Sequence, residues 1–395
     1  MTDTLLDSPI AGEFAAWESE GVSPFFPTVE SNTGNRVRMN GRDGVLMFGS
    51  CDYLGLSQNP AVAEAAIQAI RRFGTNTYGA QALCGHTVLH EDIEDRLTRL
   101  HDKDAALLFP SGMSANLAVL TSLAGPEDVI INDRLNHVSI FMGARLSGAK
   151  VRTYQHNDMR RLEAILSSTT DKRRRIIVTD GLFSADGDLA PLDTITGLAE
   201  TYDAMVIVDE AHSFGCLGPR GLGAADHFGV LDKVDVIVGT MSKAIGSTGG
   251  FVVTNHDIQL LLRTTAPSYT SSRGASPAVA GATLKALEII EQDGAKLRAQ
   301  LTENVDYIST RLRSAGIDLA DTSSQVLPVM IGSEDTTIRV AHWLIEHGVF
   351  AAAFTFPNVP RGKGRLRVGV TAAHTRAECD ELIDTLLLAR AEYPF

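Results

Sequence analysis

Residues 235–250 constrain the fold most strongly, because they place a lysine between two apolar runs. Residues 234–238 are rich in β-branched side chains, which is typical of a buried strand. Thr240, Lys243 and several glycines follow, and a second apolar run covers residues 251–254. Burying an unpaired ammonium group is costly. The lysine is therefore either a reactive amine, made nucleophilic by partial desolvation, or a surface lysine in a glycine-rich turn.

A second apolar run ends in a carboxylate. Asp209 follows residues 204–208, and His212 comes three positions later. Ligands of open α/β sheets bind at the carboxyl ends of strands, which is where Asp209 is expected. Lys243 lies 34 residues beyond Asp209, a distance that leaves room for one further strand. Pyridoxal phosphate requires such a pair, an acid against its ring nitrogen and a lysine that forms a Schiff base. The alternative is that Asp209 caps a turn, which the presence of Lys243 disfavours.

Strand and helix patterns alternate from about residue 105 to residue 254. Apolar runs at residues 105–109, 129–132, 175–179, 204–208, 234–238 and 251–254 are typical of buried strands. This order predicts an α/β fold with a mostly parallel central sheet and helices on both faces, followed by a small α+β C-terminal domain. We expect an N-terminal arm over residues 1–59, a large domain over residues 60–290 and a small domain over residues 291–395.

Two further segments carry candidate ligand-binding residues. Residues 110–116 open a helix after a strand, and backbone N–H groups at such a helix start bind phosphate well; a plain strand-to-helix turn is the alternative. His137 follows the strand at residues 129–132. A histidine there either stacks on a planar cofactor or is a hydrogen-bonded core residue.

Composition excludes several classes of function. The chain has 395 residues, of which 44% are hydrophobic and 21% are charged, as in ordinary globular proteins. Its net charge of −13 argues against non-specific binding to nucleic acid. No apolar run approaches the roughly 18–20 residues of a membrane span, and the first nine residues lack the features of a signal peptide. The four cysteines show no metal-binding spacing, so we expect no metal site and a reducing, cytoplasmic location.

The motifs taken together resemble those of the α-oxoamine synthase family, which are fold-type I pyridoxal-phosphate enzymes. The resemblance covers nearly the whole chain. The motifs that carry it are Asp52-Tyr-Leu-Gly55, Asn136-His137, Phe183-Ser184-Ala-Asp-Gly-Asp188, Asp209-Glu-Ala-His212, Thr240-Met-Ser-Lys243, Gly364-Arg-Leu-Arg367 and Thr371-Ala-Ala-His374. The resemblance implies an acyltransferase that joins an amino acid to an acyl thioester, on coenzyme A or a carrier protein, usually with loss of carbon dioxide. It also implies a homodimer with active sites at the subunit interface.

The resemblance also implies a role for each matching residue. Lys243 would be the Schiff-base lysine and proton-transfer base, Asp209 the partner of the pyridinium nitrogen and His137 the residue that stacks on the ring. Ser184 and His212 would contact the ring hydroxyl. The cofactor phosphate would be held by Ser111, Gly112, Met113 and Thr240, and by Ser271 and Ser272 from the neighbouring subunit. Arg367 would bind the amino-acid carboxylate through its planar donor fork.

Several positions depart from the family pattern, and they all concern substrates. Cys51 stands where the family usually has an asparagine that helps to hold the amino-acid carboxylate. Ala80 and Ala82 stand where relatives that accept succinyl thioesters have polar residues. Arg273 replaces an apolar residue, and the later turn reads Phe356-Pro-Asn358-Val-Pro360. These changes indicate a specialised member that does not use a succinyl thioester.

Two other functions are compatible with parts of the pattern. Aldol cleavage or transamination would use the same lysine and aspartate, so these two residues do not exclude such reactions. A non-catalytic partner subunit would lack the lysine, and Lys243 is present. The amino acid, the acyl group and the thioester carrier are not specified by the sequence.

Overall fold

The computed structural model describes residues 9–395. Its helices are α1 (Pro9–Ser19), α2 (Pro60–Phe73), α3 (Val88–His101), α4 (Gly112–Leu123), α5 (Val138–Leu146), α6 (Met159–Ser167), α7 (Leu192–Tyr202), α8 (Ala224–His227), α9 (His256–Thr265), α10 (Pro267–Thr270), α11 (Pro277–Ser314), α12 (Glu334–Glu346) and α13 (Arg376–Glu392). Its strands are β1 (Val29–Thr33), β2 (Arg36–Met39), β3 (Arg42–Met47), β4 (Ala105–Phe109), β5 (Val129–Asp133), β6 (Lys150–Tyr154), β7 (Arg175–Asp180), β8 (Met205–Asp209), β9 (Val236–Thr240), β10 (Gly250–Thr254), β11 (Val326–Gly332), β12 (Val349–Phe350), β13 (Ala352–Phe354) and β14 (Gly364–Gly369).

The chain divides into two compact units. The larger unit comprises residues 51–184 and 188–301. The smaller unit comprises the described residues up to Ser50, residues 185–187 and residues 302–395. The domain bounds inferred above from the sequence stay a prediction.

A seven-stranded sheet forms the centre of the larger unit, with strand order β4-β10-β9-β8-β7-β5-β6. Strands β6, β5, β7, β8 and β9 are parallel. Strand β10 runs antiparallel to both of its neighbours, β9 and β4. The predicted mostly parallel α/β sheet is thereby confirmed, and it brings the carboxyl ends of β7, β8 and β9 to one edge.

Burial on both faces explains why most of these strands could be recognised in the sequence. Every residue of β4, β5, β9 and β10 is buried, as expected for strands covered by helices on either side. Strand β6, which lies at one edge of the sheet, was not predicted from the sequence. Only Tyr154 of this strand is buried, and Lys150 is exposed. Charged residues are tolerated at a sheet edge, so β6 lacks the continuous apolar run of the other strands.

The smaller unit contains two antiparallel-rich sheets. One has the order β1-β2-β3-β12, and the other has the order β11-β14-β13. A tight turn at Asn40 and Gly41 joins β2 to β3, and both residues have the positive φ angles, 49° and 76°, that such turns require. Among residues 9–395, no helix is both long and apolar enough to cross a membrane.

Candidate active site

A cavity of about 220 Å³ lies in the larger unit, beside the ends of β7, β8 and β9. Nine residues that the sequence analysis assigned to catalysis or cofactor binding line it. They are Ser111, Gly112, Met113, His137, Ser184, Asp209, His212, Thr240 and Lys243. These residues come from five separate stretches of the chain, and the parallel sheet brings them together because it gathers strand ends at one edge.

Lys243 lies in the turn that connects β9 to β10. The backbone of this turn is fixed by hydrogen bonds from Gly246 N to the Lys243 carbonyl, 2.8 Å, and from Met241 N to the Gly249 carbonyl, 2.9 Å. The Lys243 side chain is half-buried and faces the cavity. A lysine in a rigid turn at the edge of a cavity can present its amine to a bound carbonyl compound.

Asp209 ends β8, and only 5% of its surface is exposed. One carboxylate oxygen accepts the backbone N–H of Ala211 at 2.8 Å, and the other accepts Nδ2 of Asn116 at 2.6 Å. Both donors fix the orientation of the carboxylate at the cavity wall. A buried acid held in this way can keep a proton on a heterocyclic nitrogen placed against it.

His137 caps the start of α5 and lies between charged groups of the cavity. Its backbone N–H donates to Oδ2 of Asp180 at 2.9 Å. Burial lowers the pKa of His137, and the positive charge of Lys243 lowers it further against the opposing effect of Asp209. Burial and the nearby Asp209 carboxylate raise the pKa of Asp180 well above its usual value. The imidazole is therefore neutral near pH 7, which suits a ring that stacks on a planar ligand.

His212 is positioned by a tyrosine from the Asp52-Tyr-Leu-Gly55 motif. The Tyr53 hydroxyl lies 2.7 Å from Nδ1 of His212. Both side chains are almost fully buried. The His212 ring lines the cavity, and Ser184 lines it as well.

The start of α4 lines the cavity and has the features of an anion-binding helix start. Ser111 caps the helix by accepting the N–H of Ser114 at 3.1 Å. The first turn of a helix leaves backbone N–H groups without intrahelical partners, and Gly112 and Met113 occupy that turn. A Cβ added at Gly112 would lie 3.3 Å from Cβ of Thr240, so the glycine allows β9 and α4 to approach closely. Thr240 Oγ1 contacts Ser242 Oγ at 2.8 Å.

The remaining sequence-predicted residues do not line this cavity. Ser271 and Ser272 follow α10 in the larger unit, Cys51 begins that unit and Ala80 precedes a single π-helical turn at Gln81–Gly85. Arg367 lies in β14 of the smaller unit, where its guanidinium is 4.6 Å from the ring centroid of Phe354. Their assigned roles stay predictions.

Several residues of the cavity were not predicted from the sequence, including three polar residues inside or at the ends of secondary-structure elements. Asn116, Ser139 and Asp180 all line the cavity. Asp180 carried a signal that could have found it, because it ends β7 as Asp209 ends β8, and the two are paired in register. Asn116 and Ser139 lie inside helices α4 and α5, and only the packing of these helices shows that they face the cavity.

A half-buried ion-pair cluster links the segments on which the site residues lie. Nδ1 of His156 is 3.1 Å from Oδ1 of Asp133, and its Nε2 is 2.7 Å from Oδ2 of Asp188. Burial lowers the pKa of His156, but the hydrogen bonds and charges of the two carboxylates outweigh this effect and raise it to about 10. The imidazolium thus links the loop after β5, which leads to His137, with the loop that follows Ser184.

The cluster predicts a pH-dependent contribution to stability. The pKa of His156 is raised in the folded protein, so its stabilisation is complete below the unfolded value of about 6.5 and is lost as pH rises towards 10. We expect His156→Gln to lower the melting temperature most at pH 6 and progressively less between pH 6.5 and 10. Exposed His227→Gln is the control and should show no such trend. An equal loss for His156→Gln at all pH values would contradict an imidazolium at this position.

Comparison with known proteins places the chain in a family. The model of the aminotransferase class I and II family matches residues 43–386. An 8-amino-7-oxononanoate synthase from Exiguobacterium sibiricum is 40% identical over 356 residues, which cover 90% of this chain and 91% of the relative. The chain belongs to the α-oxoamine synthases of the aminotransferase class I and II family.

A second relative and a solved structure support the same assignment. A serine palmitoyltransferase from Sphingobacterium spiritivorum is 38% identical over 370 residues, which cover 94% of this chain and 92% of the relative. A solved structure of SPT with PLP aligns with a TM-score of 0.95 at 28% identity, covering 100% of this chain and 99% of that one. The expected fold-type I architecture and the expected class of pyridoxal-phosphate-dependent acyltransferase are confirmed.

The residues of the cavity fit pyridoxal phosphate. A planar pyridine needs a buried acid, and Asp209 supplies one. A phosphate needs N–H donors with a close backbone approach, and the glycine at the start of α4 supplies both. An aldehyde needs an amine, and Lys243 is the lysine that lines the cavity. Within the described part of the chain, no cluster of His, Cys, Asp or Glu side chains is arranged to hold a metal ion.

Proposed function

We propose that this α-oxoamine synthase joins an amino acid to an acyl thioester and releases the thiol and carbon dioxide, giving an aminoketone. The observation that carries the proposal is the convergence of Lys243, Asp209 and His137 on one cavity. The curated relatives with the same chain length and fold are named for reactions of this class.

The residues of the cavity divide the chemistry between them. Bound at this site, pyridoxal phosphate supplies an electron sink for negative charge at the amino-acid Cα. Asp209 keeps the ring nitrogen protonated, which maintains that sink. The Lys243 amine removes the Cα proton as a general base. A new bond forms between Cα and the thioester carbonyl carbon while the C–S bond breaks, and the leaving sulfur takes a proton. The bond between Cα and its carboxylate carbon then breaks, carbon dioxide leaves, and Cα takes a proton.

A direct assay tests the reaction class. Purified holoenzyme is incubated with each of a panel of amino acids and acyl thioesters, and free thiol and carbon dioxide are measured together. Release of both in equal amounts, only when both substrates are present, supports the proposal. Consumption of the amino acid without release of thiol would instead indicate aldol cleavage or transamination. No reaction with any pair, despite bound cofactor, would favour a non-catalytic partner subunit.

We further propose that the enzyme is a homodimer with active sites at the subunit interface. Apolar side chains are exposed at the start of α4, beside the cavity, and along the whole length of α5. They are Met113, Val138, Met142 and Leu146, between 43% and 65% exposed. Such a patch on a folded chain marks an interaction surface. Light scattering should give a mass of twice 42.3 kDa, and Met142→Glu combined with Leu146→Glu should shift it towards the monomer. A wild-type mass of one chain would contradict the proposal.

The loop before the π-helical turn bears on the acyl substrate. Ala80 and Ala82 have no side-chain group that can pair with a distal carboxylate. Burying even a neutral polar group without a partner costs about 2–7 kcal/mol, and an unpaired carboxylate costs more. Arg273 supplies a cation beside this loop, and a cation there would favour a substrate carboxylate. Its Nη1 already donates to the carbonyl of Thr77 at 2.8 Å.

An apolar acyl thioester should therefore be preferred to a succinyl thioester. We expect kcat/KM for a medium-chain acyl-coenzyme A to exceed that for succinyl-coenzyme A by about tenfold or more, with glycine, alanine and serine each tested as partner. Ala82→Thr, which restores a hydroxyl, should narrow the ratio. A tenfold advantage for succinyl-coenzyme A would overturn the prediction, and Arg273→Leu would then show whether Arg273 binds its carboxylate. The cytoplasmic location expected from the reduced cysteines stays a prediction.

A further inference from the structure

A hydrogen-bonded chain inside the larger unit connects the ring acid with the histidine of the cavity. Nδ2 of Asn116 donates to Oδ2 of Asp209 at 2.6 Å and to Oγ of Ser139 at 2.9 Å. Oγ of Ser139 in turn lies 2.7 Å from Nδ1 of His137. Asn116 and Ser139 are buried, so water does not compete for these hydrogen bonds.

The direction of each hydrogen bond follows from chemistry. An ionised carboxylate only accepts, so the group of Asn116 that faces Asp209 is the NH₂. The same NH₂ uses its second hydrogen on Ser139 Oγ. Ser139 therefore has its own hydroxyl hydrogen left to donate, and the neighbouring acceptor is Nδ1 of His137. The amide oxygen of Asn116 is buried and has no hydrogen-bond partner among the described residues, so the NH₂ makes all the polar contacts of this side chain.

A second donor points at the same ring nitrogen. The backbone N–H of Ser139 is directed at Nδ1 of His137 at 3.3 Å. A backbone N–H can only donate, so this longer contact reinforces the unprotonated Nδ1 that the 2.7 Å contact with the Ser139 hydroxyl favours. A neutral imidazole that accepts at Nδ1 carries its proton on Nε2.

We propose that Asn116 is a positioning residue that orients Asp209 and, through Ser139, fixes His137 as the neutral tautomer with its proton on Nε2. One amide group thus sets two features of the site at once, the direction of the ring acid and the donor edge of the stacking histidine. The lowered pKa of His137, caused mainly by burial, agrees with a neutral ring. The groups that face His137 from neighbouring elements are Asp209, Asp180 and Lys243.

The chain of contacts explains why a helix-interior asparagine lies here. Without the NH₂ of Asn116, the Ser139 hydroxyl can accept from Nδ1–H, and only the longer contact from the Ser139 backbone N–H, 3.3 Å, still opposes the other tautomer. In that tautomer Nε2 of His137 would be an acceptor instead of a donor. The relevance to turnover rests on the proposed function, whereas the tautomer itself does not.

The test reads the tautomer directly. Holoenzyme labelled with ¹⁵N-histidine gives separate imidazole resonances for protonated and unprotonated nitrogens, and His137→Gln identifies the signals of interest. We expect wild-type His137 to carry its proton on Nε2. Asn116→Ala should produce a mixture of tautomers and lower kcat about tenfold or more, with a smaller change in KM for the amino acid. Ser139→Ala provides a second, independent variant should Asn116→Ala not fold.

Ser122→Ala is the matched control, because Ser122 lies on the same helix and its buried hydroxyl has no hydrogen-bond partner within residues 9–395. It should leave the tautomer unchanged. A proton on Nδ1 in the wild type, or an unchanged tautomer in both Asn116→Ala and Ser139→Ala, would overturn the inference. An Nε2 proton in an enzyme that transfers no acyl group would instead refute the proposed reaction and leave the inference standing.

Discussion

Replacing Lys243 by alanine should reduce turnover at least about a thousandfold. The lysine is the amine that the turn between β9 and β10 presents to the cavity, and alanine removes both the nucleophile and the base. Borohydride reduction followed by peptide mass spectrometry should attach the cofactor to Lys243 in the wild type and to no peptide of the variant. Release of thiol from an acyl thioester measures the loss of turnover.

The Lys243 prediction has a matched control. Lys233 is a surface lysine of the same unit, 40% exposed and paired with Glu200, and Lys233→Ala should keep wild-type turnover and the same site of attachment. Turnover by Lys243→Ala within tenfold of the wild type would remove the residue from the mechanism. Attachment of the cofactor at another lysine would show that Lys243 does not form the Schiff base.

Asp209→Asn should lower kcat by about two orders of magnitude or more, equivalent to ~3 kcal/mol of transition-state stabilisation. The amide has the shape of the carboxylate but cannot keep a ring nitrogen protonated. Its oxygen can still accept the NH₂ of Asn116, which lies 2.6 Å from Oδ2 of Asp209, but its own NH₂ then faces the Ala211 N–H and loses that hydrogen bond. The substitution therefore keeps the shape of the side chain and removes its charge and one acceptor.

The control for Asp209→Asn is the same substitution at Asp257, an exposed residue in the first turn of α9. Asp257→Asn should leave kcat unchanged. Cofactor content of both variants, measured after release by alkali, separates lost binding from lost chemistry. A decrease of only a few-fold in a fully loaded Asp209→Asn enzyme would show that Asp209 is not the ring partner.

The sequence predicted the parts of the site that depend on local pattern. Asp209 and Lys243 follow uninterrupted apolar runs, and such runs are readable because strands buried on both faces contain little else. The start of α4 was equally readable, since glycine and serine follow a strand there.

The sequence did not predict contacts that depend on the order of strands or on the rotation of helices. The hydrogen bond between Asn116 and Asp209 joins residues 93 positions apart. The two carboxylate partners of His156 lie 23 positions before it, at the end of β5, and 32 positions after it. No periodicity encodes either arrangement, because both arise only when β5, β7 and β8 lie side by side.

Glycines divide the molecule into regions with different freedom to evolve. A Cβ at Gly250 would lie 2.6 Å from Gly112 N, and one at Gly239 would overlap the ring of Phe251. Almost any mutation at these two positions should therefore be lost by selection. Tyr78 and Leu83, in contrast, are 91% and 81% exposed in the single chain, and fewer intrachain contacts restrict them. Substitutions in these exposed loops can therefore change substrate preference during evolution, while the closely packed strands and the helix start around the cofactor cavity stay unchanged.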